Sequence, residues 1–413
     1  MNISLISLLA LIFALGIGIK FNKNCGIISI GVAFIVGVYI VGMPAREVFS
    51  KGWPMTVFSL TIAIGLLFGV ANNNGTTLTL AQKIVYFSKG NSKILPLVFF
   101  GGCALISATG AGAPMTGVLA AIGLSVAVQF NVPIVLMAIM VVTGVMAGGL
   151  SPLAINGIVA NTLSAEQGIP NYGPIWVAFA LTMLIDALVA YFILGGHKLK
   201  IIDGAKEIKY TKFNKEQSIT FLTIIIVVIL VIVFNLDLTL VAITASAILL
   251  LIGVADEREV IKSIPWNVIL LIGGVSILIN VVNNAKGIDY LAQILQKFMN
   301  NVSAGPIITI MGGLLGAVSS GTGVAMPTLI PTASALGSQI GDSTLTANLI
   351  ISVIIGINSV VISPFSTVGA LTLAAAPEGT NRDQLLKGLL ISAVSMEILA
   401  ALLSLVGFYK LFI

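Results

Sequence analysis

The chain has 413 residues and a formal net charge of +5, and 58% of its residues are apolar whereas only 8% are charged. A soluble domain carries about a quarter charged residues, so this composition, with a mean hydropathy of +1.12, excludes a soluble protein. At about 20 apolar residues per span, the length leaves room for about ten membrane helices and for no soluble catalytic domain.

Ten apolar runs are suited to crossing a membrane. The first is expected to be a retained span, because the start of the chain lacks a positively charged segment and a small-residue cleavage site. Cys25 and Cys103 form no C-x-x-C pair, so neither a disulfide framework nor a zinc site is predicted. The runs lie at 3–19, 25–43, 54–73, 133–163, 173–195, 217–234, 238–254, 265–283, 343–376 and 388–412.

Two further apolar runs, 94–128 and 304–340, are interrupted at their centres. Residues 107–114 read Ser-Ala-Thr-Gly-Ala-Gly-Ala-Pro, and residues 320–327 read Ser-Gly-Thr-Gly-Val-Ala-Met-Pro. Glycine and proline break the helical pattern at these points. Each run is therefore predicted to be a re-entrant hairpin, which enters the membrane and leaves on the same side.

The two interruptions belong to an internal duplication. A shift of 213 positions places Ser107 on Ser320 and Thr109 on Thr322. Further on, the Ser-Pro pair at 151–152 falls on the pair at 363–364 at a shift of 212, and upstream the Asn pair at 72–73 falls on 283–284 at a shift of 211. Three ordered matches at nearly one shift indicate a repeat rather than shared composition.

Each half then has five spans, one of them broken, and one hairpin, and an odd number of crossings inverts the second half relative to the first. The predicted fold is an all-α polytopic membrane protein built from two inverted repeats, with about ten spans and two hairpins. The first repeat covers 1–195, a lysine-rich linker covers 196–216, and the second repeat covers 217–413.

The loop charges predict the sidedness. With the N-terminus outside, 15 of the 20 Lys and Arg residues lie on the cytoplasmic side, as the positive-inside rule requires. Both termini are therefore expected outside and the 196–216 loop in the cytoplasm. The five basic residues left outside are Arg46, Lys51, Lys286, Lys297 and Lys410.

Four discontinuities in the helices are predicted to form a binding site near the membrane centre. Unpaired N–H groups at half-helix N-termini suit an anion, whereas free carbonyls and hydroxyls suit a small cation. Packing alone also favours Gly, Ser and Thr where membrane helices approach closely, but a duplicated set beside proline favours binding. The candidates for the anion are Ser107, Thr109, Gly110, Ser320, Thr322, Gly323, Pro152, Pro364, Asn156 and Thr367, and those for a cation are Ser107, Ser151, Ser320 and Ser363.

Asp186 and Glu397 lie deep in the last span of each half, at a separation of 211 residues. A carboxylate at a helix centre costs about 2.5–3.5 kcal/mol on insertion scales. Two interpretations stay open: a protonated, hydrogen-bonded structural acid, or a role in proton or cation coupling.

The paired hairpin motifs, each followed by a broken span with Ser-Pro, resemble the ion-transporter superfamily, in particular the divalent anion:sodium symporters of dicarboxylates. Residues 148–160, Gly-Gly-Leu-Ser-Pro-Leu-Ala-Ile-Asn-Gly-Ile-Val-Ala, are most similar to the malonate-carrier branch. The resemblance covers essentially the whole chain.

In that family, a Ser-Asn-Thr triplet at each hairpin tip binds a sodium ion and a substrate carboxylate. The resemblance implies these roles for Ser107 with Thr109 and for Ser320 with Thr322, while the middle position departs from the pattern as Ala108 and Gly321. It also implies a homodimer with an elevator motion. The scaffold would be 1–75 and 217–284, the arms 76–93 and 285–303, and the moving parts 94–195 and 304–413.

The leading prediction is a secondary active transporter of a small organic anion, a dicarboxylate such as malonate or a four-carbon acid, coupled to sodium or protons. The alternative is a cation/proton antiporter that uses Asp186 or Glu397. No cofactor is predicted apart from the coupling ion. The predicted partners are the substrate anion and the lipid bilayer, and no nucleic acid is expected to bind. An enzyme is disfavoured because the chain has one histidine and no metal-ligand cluster, and a passive channel because channels rarely use inverted broken helices.

Overall fold

The computed structural model describes residues 2–21, 23–87, 91–111, 115–199, 212–234, 236–264, 266–318, 321–340, 343–377 and 379–413. Within these ranges the secondary structure is helical, with no strand. The predicted all-α class is thereby confirmed. Ser320 and Pro114, both named in the sequence motifs, lie outside the described residues.

The described part of the first half contains ten α-helices. A π-helical turn, Gly37–Val41, extends the second helix, and another, Ser107–Ala111, follows the sixth. The helices are α1 (Ile3–Lys20), α2 (Cys25–Val36), α3 (Ala45–Gly52), α4 (Met55–Asn73), α5 (Thr76–Phe87), α6 (Leu95–Ile106), α7 (Thr116–Gln129), α8 (Ile134–Gly149), α9 (Ile155–Glu166) and α10 (Gly173–Ile193).

The described part of the second half repeats this order. Lys215, at the start of its first helix, lies 212 residues after Ile3, and Arg382, at the start of its last, lies 209 residues after Gly173. The helices are α11 (Lys215–Ile232), α12 (Leu238–Ile252), α13 (Glu257–Ser263), α14 (Trp266–Asn284), α15 (Gly287–Gln296), α16 (Ala304–Val318), α17 (Met326–Ile340), α18 (Ser343–Ser359), α19 (Thr367–Ala374) and α20 (Arg382–Leu405).

Short polar side chains start several of these helices. Asn24, Asp237, Asp256 and Asn381 each accept a hydrogen bond from a backbone N–H in the first turn, and Asn214 forms a reciprocal capping box with Gln217. Such caps satisfy amides that have no partner within the helix. The apolar runs between them supply the faces that pack together.

The packing contacts recur with the two halves exchanged. Helix α2 packs on α14, and its counterpart α12 packs on α4. Likewise α9 packs on α17 while α7 packs on α19, and α10 packs on α18 while α20 packs on α8. Each half therefore completes its packing with elements of the other half.

The centre of the molecule is formed by α8 and α18, which carry the first parts of the two predicted broken spans. Helix α8 is buried on all sides from Leu136 to Gly149, and α18 from Asn348 to Ser359. Glycines allow close approach here: a Cβ at Gly144 would lie 2.4 Å from the Phe100 carbonyl oxygen of α6. A Cβ at Gly356 would lie 2.1 Å from the Thr309 carbonyl oxygen of α16.

A second apolar cluster joins α1, α2 and α3 to α14, separate from the larger core around α8 and α18. Many apolar side chains at the periphery are exposed, for example Leu251 and Ile193. Among the described helices, α10 and α20 are by themselves long and apolar enough to cross a bilayer, and several others are shorter apolar helices. This is the surface of a helical membrane protein.

Candidate functional site

Two irregular turns interrupt the helices at the predicted motifs. Turn 1 (Ser107–Ala111) joins the end of α6 to the chain before α7, and turn 2 (Gly321–Ala325) leads directly into α17. Gly110 in turn 1 has a φ of +116°, a conformation that side chains other than glycine rarely adopt. A Cβ at Gly110 would lie 2.5 Å from Cε2 of Phe68 on α4, so this position requires glycine for space as well.

Two further interruptions follow α8 and α18. Break 1 comprises residues 150–154, between α8 and α9, and break 2 comprises residues 360–366, between α18 and α19. Gly157 follows break 1 and Gly369 follows break 2, and each allows the helix to approach the backbone of its own break. A Cβ at these positions would lie 1.8 Å and 2.0 Å from the carbonyl oxygens of Ser151 and Ser363, respectively. The Ser-Pro pairs lie inside the breaks, as the sequence predicts.

Hydrogen bonds join turn 1 to α8 and to break 1. The Ser107 hydroxyl donates to the Val145 carbonyl oxygen at 2.7 Å, and the Ser151 hydroxyl donates to the Ala108 carbonyl oxygen at 2.6 Å. Both serines are buried, whereas Thr109 is half-buried and donates to the Ile106 carbonyl oxygen at 2.7 Å. Turn 1 and break 1 therefore form one structural unit.

Two aromatic residues, one at the N-cap of α10 and one in its first turn, donate hydrogen bonds to carbonyls at the end of α8. The Tyr172 hydroxyl donates to the Leu150 carbonyl oxygen at 2.9 Å, and Nε1 of Trp176 donates to the Ala147 carbonyl oxygen at 2.9 Å. Sequence reasoning missed both residues, because an aromatic near a span end is equally typical of an interfacial anchor. Their effect is to reduce the number of carbonyls at break 1 that are free to bind a cation.

The N-terminus of α9 is the group at break 1 that lacks a partner. Its N-cap, Ala154, supplies no side-chain hydrogen bond to the first turn. Asn156, half-buried in that first turn, forms no side-chain hydrogen bond with the described residues. Unpaired N–H groups and the positive end of the helix dipole favour an anion at this point.

The second half differs at the equivalent place. Ser366 caps α19 by accepting a hydrogen bond from the Gly369 N–H at 3.1 Å, and its hydroxyl donates to the Val361 carbonyl oxygen. Ser363 is buried and accepts from the Phe365 N–H at 3.3 Å, while Pro364 is half-buried and Thr367 is exposed. The two breaks are alike in backbone but not in capping.

In turn 2, Thr322 is half-buried and Gly323 is buried. Ser320, predicted here as a ligand for both the anion and a cation, lies outside the described residues. Turn 2 packs against α14, α18 and α9. Helix α9 therefore contacts turn 2 while its start adjoins turn 1 through break 1, so the first broken span lies between the two turns.

The two acidic residues lie in a different part of the same bundle. Asp186 on α10 is 3% exposed, and Glu397 on α20 packs against Gly313 of α16. The two carboxyls are close enough to interact electrostatically, with Tyr409 beside them. Sequence alone indicated equivalent places in the repeat but not this proximity.

A cavity of about 530 Å³ opens on the outer surface between α16 and α20. Apolar side chains form most of its wall, while Ser363 of break 2 and Glu397 are its polar and acidic lining residues. The cavity thus runs from one interruption of the helices to Glu397.

These features define a helical membrane protein with four helix interruptions, of which turn 1 and break 1 are joined by a hydrogen bond and turn 2 packs against α9. The family model described as the dicarboxylate carrier protein MatC N-terminus matches residues 1–149. No curated protein matches the chain. The YdaH transporter of Alcanivorax borkumensis has a similar fold, with a TM-score of 0.59 at 14% identity over 99% of each chain. Both matches are transport proteins, in agreement with the expectation that the chain is not an enzyme.

Proposed function

We propose that the chain is a secondary active transporter of a small organic anion, a dicarboxylate such as malonate or a four-carbon dicarboxylate, coupled to sodium or protons. The observation that carries this proposal is the N-terminus of α9, which has no side-chain cap and carries Asn156, without a side-chain partner among the described residues, in its first turn. Helix α9 contacts turn 2, and break 1, which precedes it, is hydrogen-bonded to turn 1. The match of residues 1–149 to a dicarboxylate carrier model supports the same substrate class.

The lack of Lys and Arg around the turns and breaks favours recognition of the anion by backbone and hydroxyl groups. No Lys or Arg occurs between Lys93 and Lys198 or between Lys297 and Arg382, the two stretches that contain both turns and both breaks. A carboxylate would therefore be bound by helix N–H groups and by the hydroxyls of Thr109 and Thr322, without a fixed positive charge. Such a site releases its anion more readily than one built on a buried ion pair.

The proposed mechanism is elevator-type alternating access in a homodimer, within the ion-transporter superfamily and its divalent anion:sodium symporters. The scaffold would be 1–75 and 217–284, and the moving parts 94–195 and 304–413. In support, α2 packs extensively on α14 and α12 on α4. The helices α6 to α10 and α16 to α20, taken together as one group, pack mainly with each other. Sodium would bind among the serine hydroxyls Ser107, Ser151 and Ser363, together with Ser320.

The test is uptake of labelled malonate or succinate into proteoliposomes, with and without a sodium gradient. Thr109→Val and Thr322→Val together keep the side-chain shape but remove both hydroxyls, so we expect uptake to fall strongly. Thr143→Val is the matched control, because the Thr143 hydroxyl donates to Ile139 of its own helix at 2.6 Å. Uptake unchanged in the double variant would count against this site.

A thermal-shift panel identifies the substrate and the coupling ion together. A ligand that binds only the folded state raises the apparent melting temperature by mass action. Malonate, succinate, citrate, amino acids and sulfate are each compared in sodium and in choline. A shift that needs both a dicarboxylate and sodium is the result expected for a sodium symporter.

The second candidate function is a cation/proton antiporter that uses Asp186 or Glu397, and the buried carboxyl pair is the observation that favours it. Asp186→Asn would then abolish the response to an imposed pH gradient, and no organic anion would shift the melting temperature. A dicarboxylate-dependent shift in the wild-type protein rejects this candidate.

A further inference from the structure

The carboxyls of Asp186 and Glu397 approach each other from equivalent positions in the two halves. Their helices, α10 and α20, contact each other, and each also packs on the central helix of the other half, α18 and α8 respectively. The Tyr409 hydroxyl, which donates to the Ala400 carbonyl oxygen at 3.0 Å, lies beside both acids. Two acids from two halves thus share one location at the core of the bundle.

Hydrogen bonds do not satisfy this pair. Oδ2 of Asp186 and both carboxyl oxygens of Glu397 are buried and have no hydrogen-bond partner. Asp186 is 97% buried, being 3% exposed. A structural acid would be expected to hydrogen-bond its neighbours, so these unpartnered oxygens argue against a purely structural role for the pair.

No basic side chain balances the pair. Helices α8, α16, α18 and α19, which pack against α10 or α20, contain no titratable residue. The remaining titratable residues of the packed elements are Tyr409 beside the pair and, towards the helix ends, Tyr191, His197, Lys198, Arg382, Asp383, Lys387 and Lys410.

The energetics favour protons over bare charge. An ionised carboxylate without a counter-ion is strongly disfavoured in a low-dielectric interior, and two negative charges at one location repel each other as well. A metal cation would need several oxygen ligands, and among the described residues no group of three or more His, Cys, Asp or Glu side chains could hold one. A proton instead removes the charge of a carboxyl without needing a shell of metal ligands.

We propose that Asp186 and Glu397 form a shared proton-binding site that couples proton movement to transport, separate from the hydroxyl-lined site between the two turns. This inference rests on the proposed function and selects the proton as a coupling ion. Glu397 lines the cavity between α16 and α20, which extends to Ser363 in break 2. Loss of a proton leaves a charge that destabilises the contact between α10 and α20, which links protonation to rearrangement of the bundle.

Carbodiimide labelling tests the proton directly and does not depend on transport. Dicyclohexylcarbodiimide, an apolar reagent that fits the apolar cavity, adds to a protonated carboxyl. The carboxyl oxygen bonds to the carbodiimide carbon, the acid proton moves to a nitrogen, and the resulting O-acylisourea rearranges to an N-acylurea with no leaving group. We expect one adduct at Glu397 by peptide mass spectrometry, in a yield that falls as the pH rises.

Matched variants sharpen this test. Glu397→Gln is expected to lose the adduct, while Asp383→Asn, an exposed acid at the start of the same helix, is expected to label like the wild type. Asp186→Asn removes the repulsion within the pair and is expected to shift the pH dependence of labelling at Glu397. The inference is overturned by the absence of any adduct at Glu397, or by labelling that does not change with pH.

Transport assays then separate this inference from the proposed function. Asp186→Asn and Glu397→Gln are expected to retain exchange of labelled dicarboxylate across the proteoliposome membrane but to lose accumulation driven by a pH gradient. Wild-type protein that exchanges dicarboxylate but does not respond to a pH gradient would contradict the inference and leave the proposed function standing. Wild-type protein that neither binds nor exchanges a dicarboxylate would contradict the proposed function, while the labelling result still decides whether the pair holds a proton.

Discussion

Single hydrogen bonds decide how turn 1 is held at the centre of the molecule. The Ser151 hydroxyl donates to the Ala108 carbonyl oxygen, and the Ser107 hydroxyl donates to the Val145 carbonyl oxygen. Because each hydroxyl donates its hydrogen to a carbonyl oxygen, the lone pairs of the hydroxyl oxygen remain free to accept a hydrogen bond or to contact a cation. These serines therefore hold the site together whether or not they also touch the transported ion.

Ser151→Ala is expected to destabilise the protein by about 1–3 kcal/mol, the cost of leaving a buried carbonyl without a partner. It should also weaken dicarboxylate binding, because turn 1 loses its link to break 1. Apparent melting temperature with and without malonate measures both effects. Ser164→Ala on α9 is the matched control and is expected to be neutral or stabilising, since the buried Ser164 hydroxyl has no hydrogen-bond partner. Equal effects of the two substitutions would contradict the role of the bond.

Gly110→Ala is expected to destabilise turn 1 by at least about 1–2 kcal/mol, the cost of a left-handed conformation for an L-residue. The added Cβ would also meet Phe68 at 2.5 Å. Gly101→Ala in α6 is the control, since a Cβ there meets nothing within 4 Å and alanine favours a helix by about 0.5–1 kcal/mol. Thermal unfolding of both variants in detergent measures the difference, and a Gly110→Ala protein as stable as wild type would refute the geometry of the turn.

Residue-level prediction from sequence succeeded in part. The duplicated Ser, Thr, Gly and Pro residues identified where the helices are interrupted, because proline and glycine have local conformational effects that a single sequence reveals. The partners of these residues were not predictable. Tyr172 and Trp176 reach the end of α8 from another helix, and a single sequence carries no record of such long-range pairing.

At the scale of elements, the junction of α4 with α5 and that of α14 with α15, called hinges below, are built alike. Helix α4 meets α5 at Gly75, and α14 meets α15 at Lys286, both in the left-handed conformation with φ of +79° and +59°. The second junction bends the chain by 75°. The first helix of the opposite half holds each hinge: Gln217 of α11 donates to the Asn74 carbonyl oxygen, and Ser4 of α1 donates to the Ala285 carbonyl oxygen.

Lys286→Gly is expected to stabilise the protein by about 0.5–1 kcal/mol, because glycine adopts the left-handed conformation without the cost that a lysine incurs. The Lys286 side chain is exposed, so little contact is lost. Lys297→Gly, at the end of α15 where φ is −65°, is the control and should not stabilise. Melting temperatures that rise for both variants, or for neither, would contradict this account of the hinge.

Sequence periodicity was a reliable guide to helices but a weaker guide to their ends. Apolar runs correspond to α1, α2, α4, α10, α11, α12, α14 and α20, since a helix in lipid must be apolar over its length. The π-helical turn Gly37–Val41, which extends α2, was not predicted. Nothing in its five residues distinguishes it from an ordinary helical turn, and its form depends on packing against α14 and α3.

At the scale of the whole molecule, the side of the membrane on which each loop and terminus lies can be tested. The basic residues predict that both termini lie outside and that the 196–216 loop lies in the cytoplasm. A membrane-impermeant maleimide should therefore label Lys410→Cys but not Glu216→Cys in intact cells, and the reverse in inside-out vesicles. The native Cys25 and Cys103 are buried and serve as an internal background. Labelling of both positions from one side would reject the inverted arrangement.

The central claim is that a dicarboxylate binds at turn 1 and break 1, with turn 2 reached through α9, and substrate protection of a cysteine in turn 1 tests it most directly. In Ala108→Cys the thiol replaces a half-buried side chain between Ser107 and Thr109, and Asp383→Cys provides an exposed control far along α20. We expect malonate or succinate to slow alkylation of Ala108→Cys in a concentration-dependent manner, acetate to have no effect, and Asp383→Cys to react equally in all conditions. Alkylation of Ala108→Cys at the same rate with and without a dicarboxylate that the protein transports would contradict the claim.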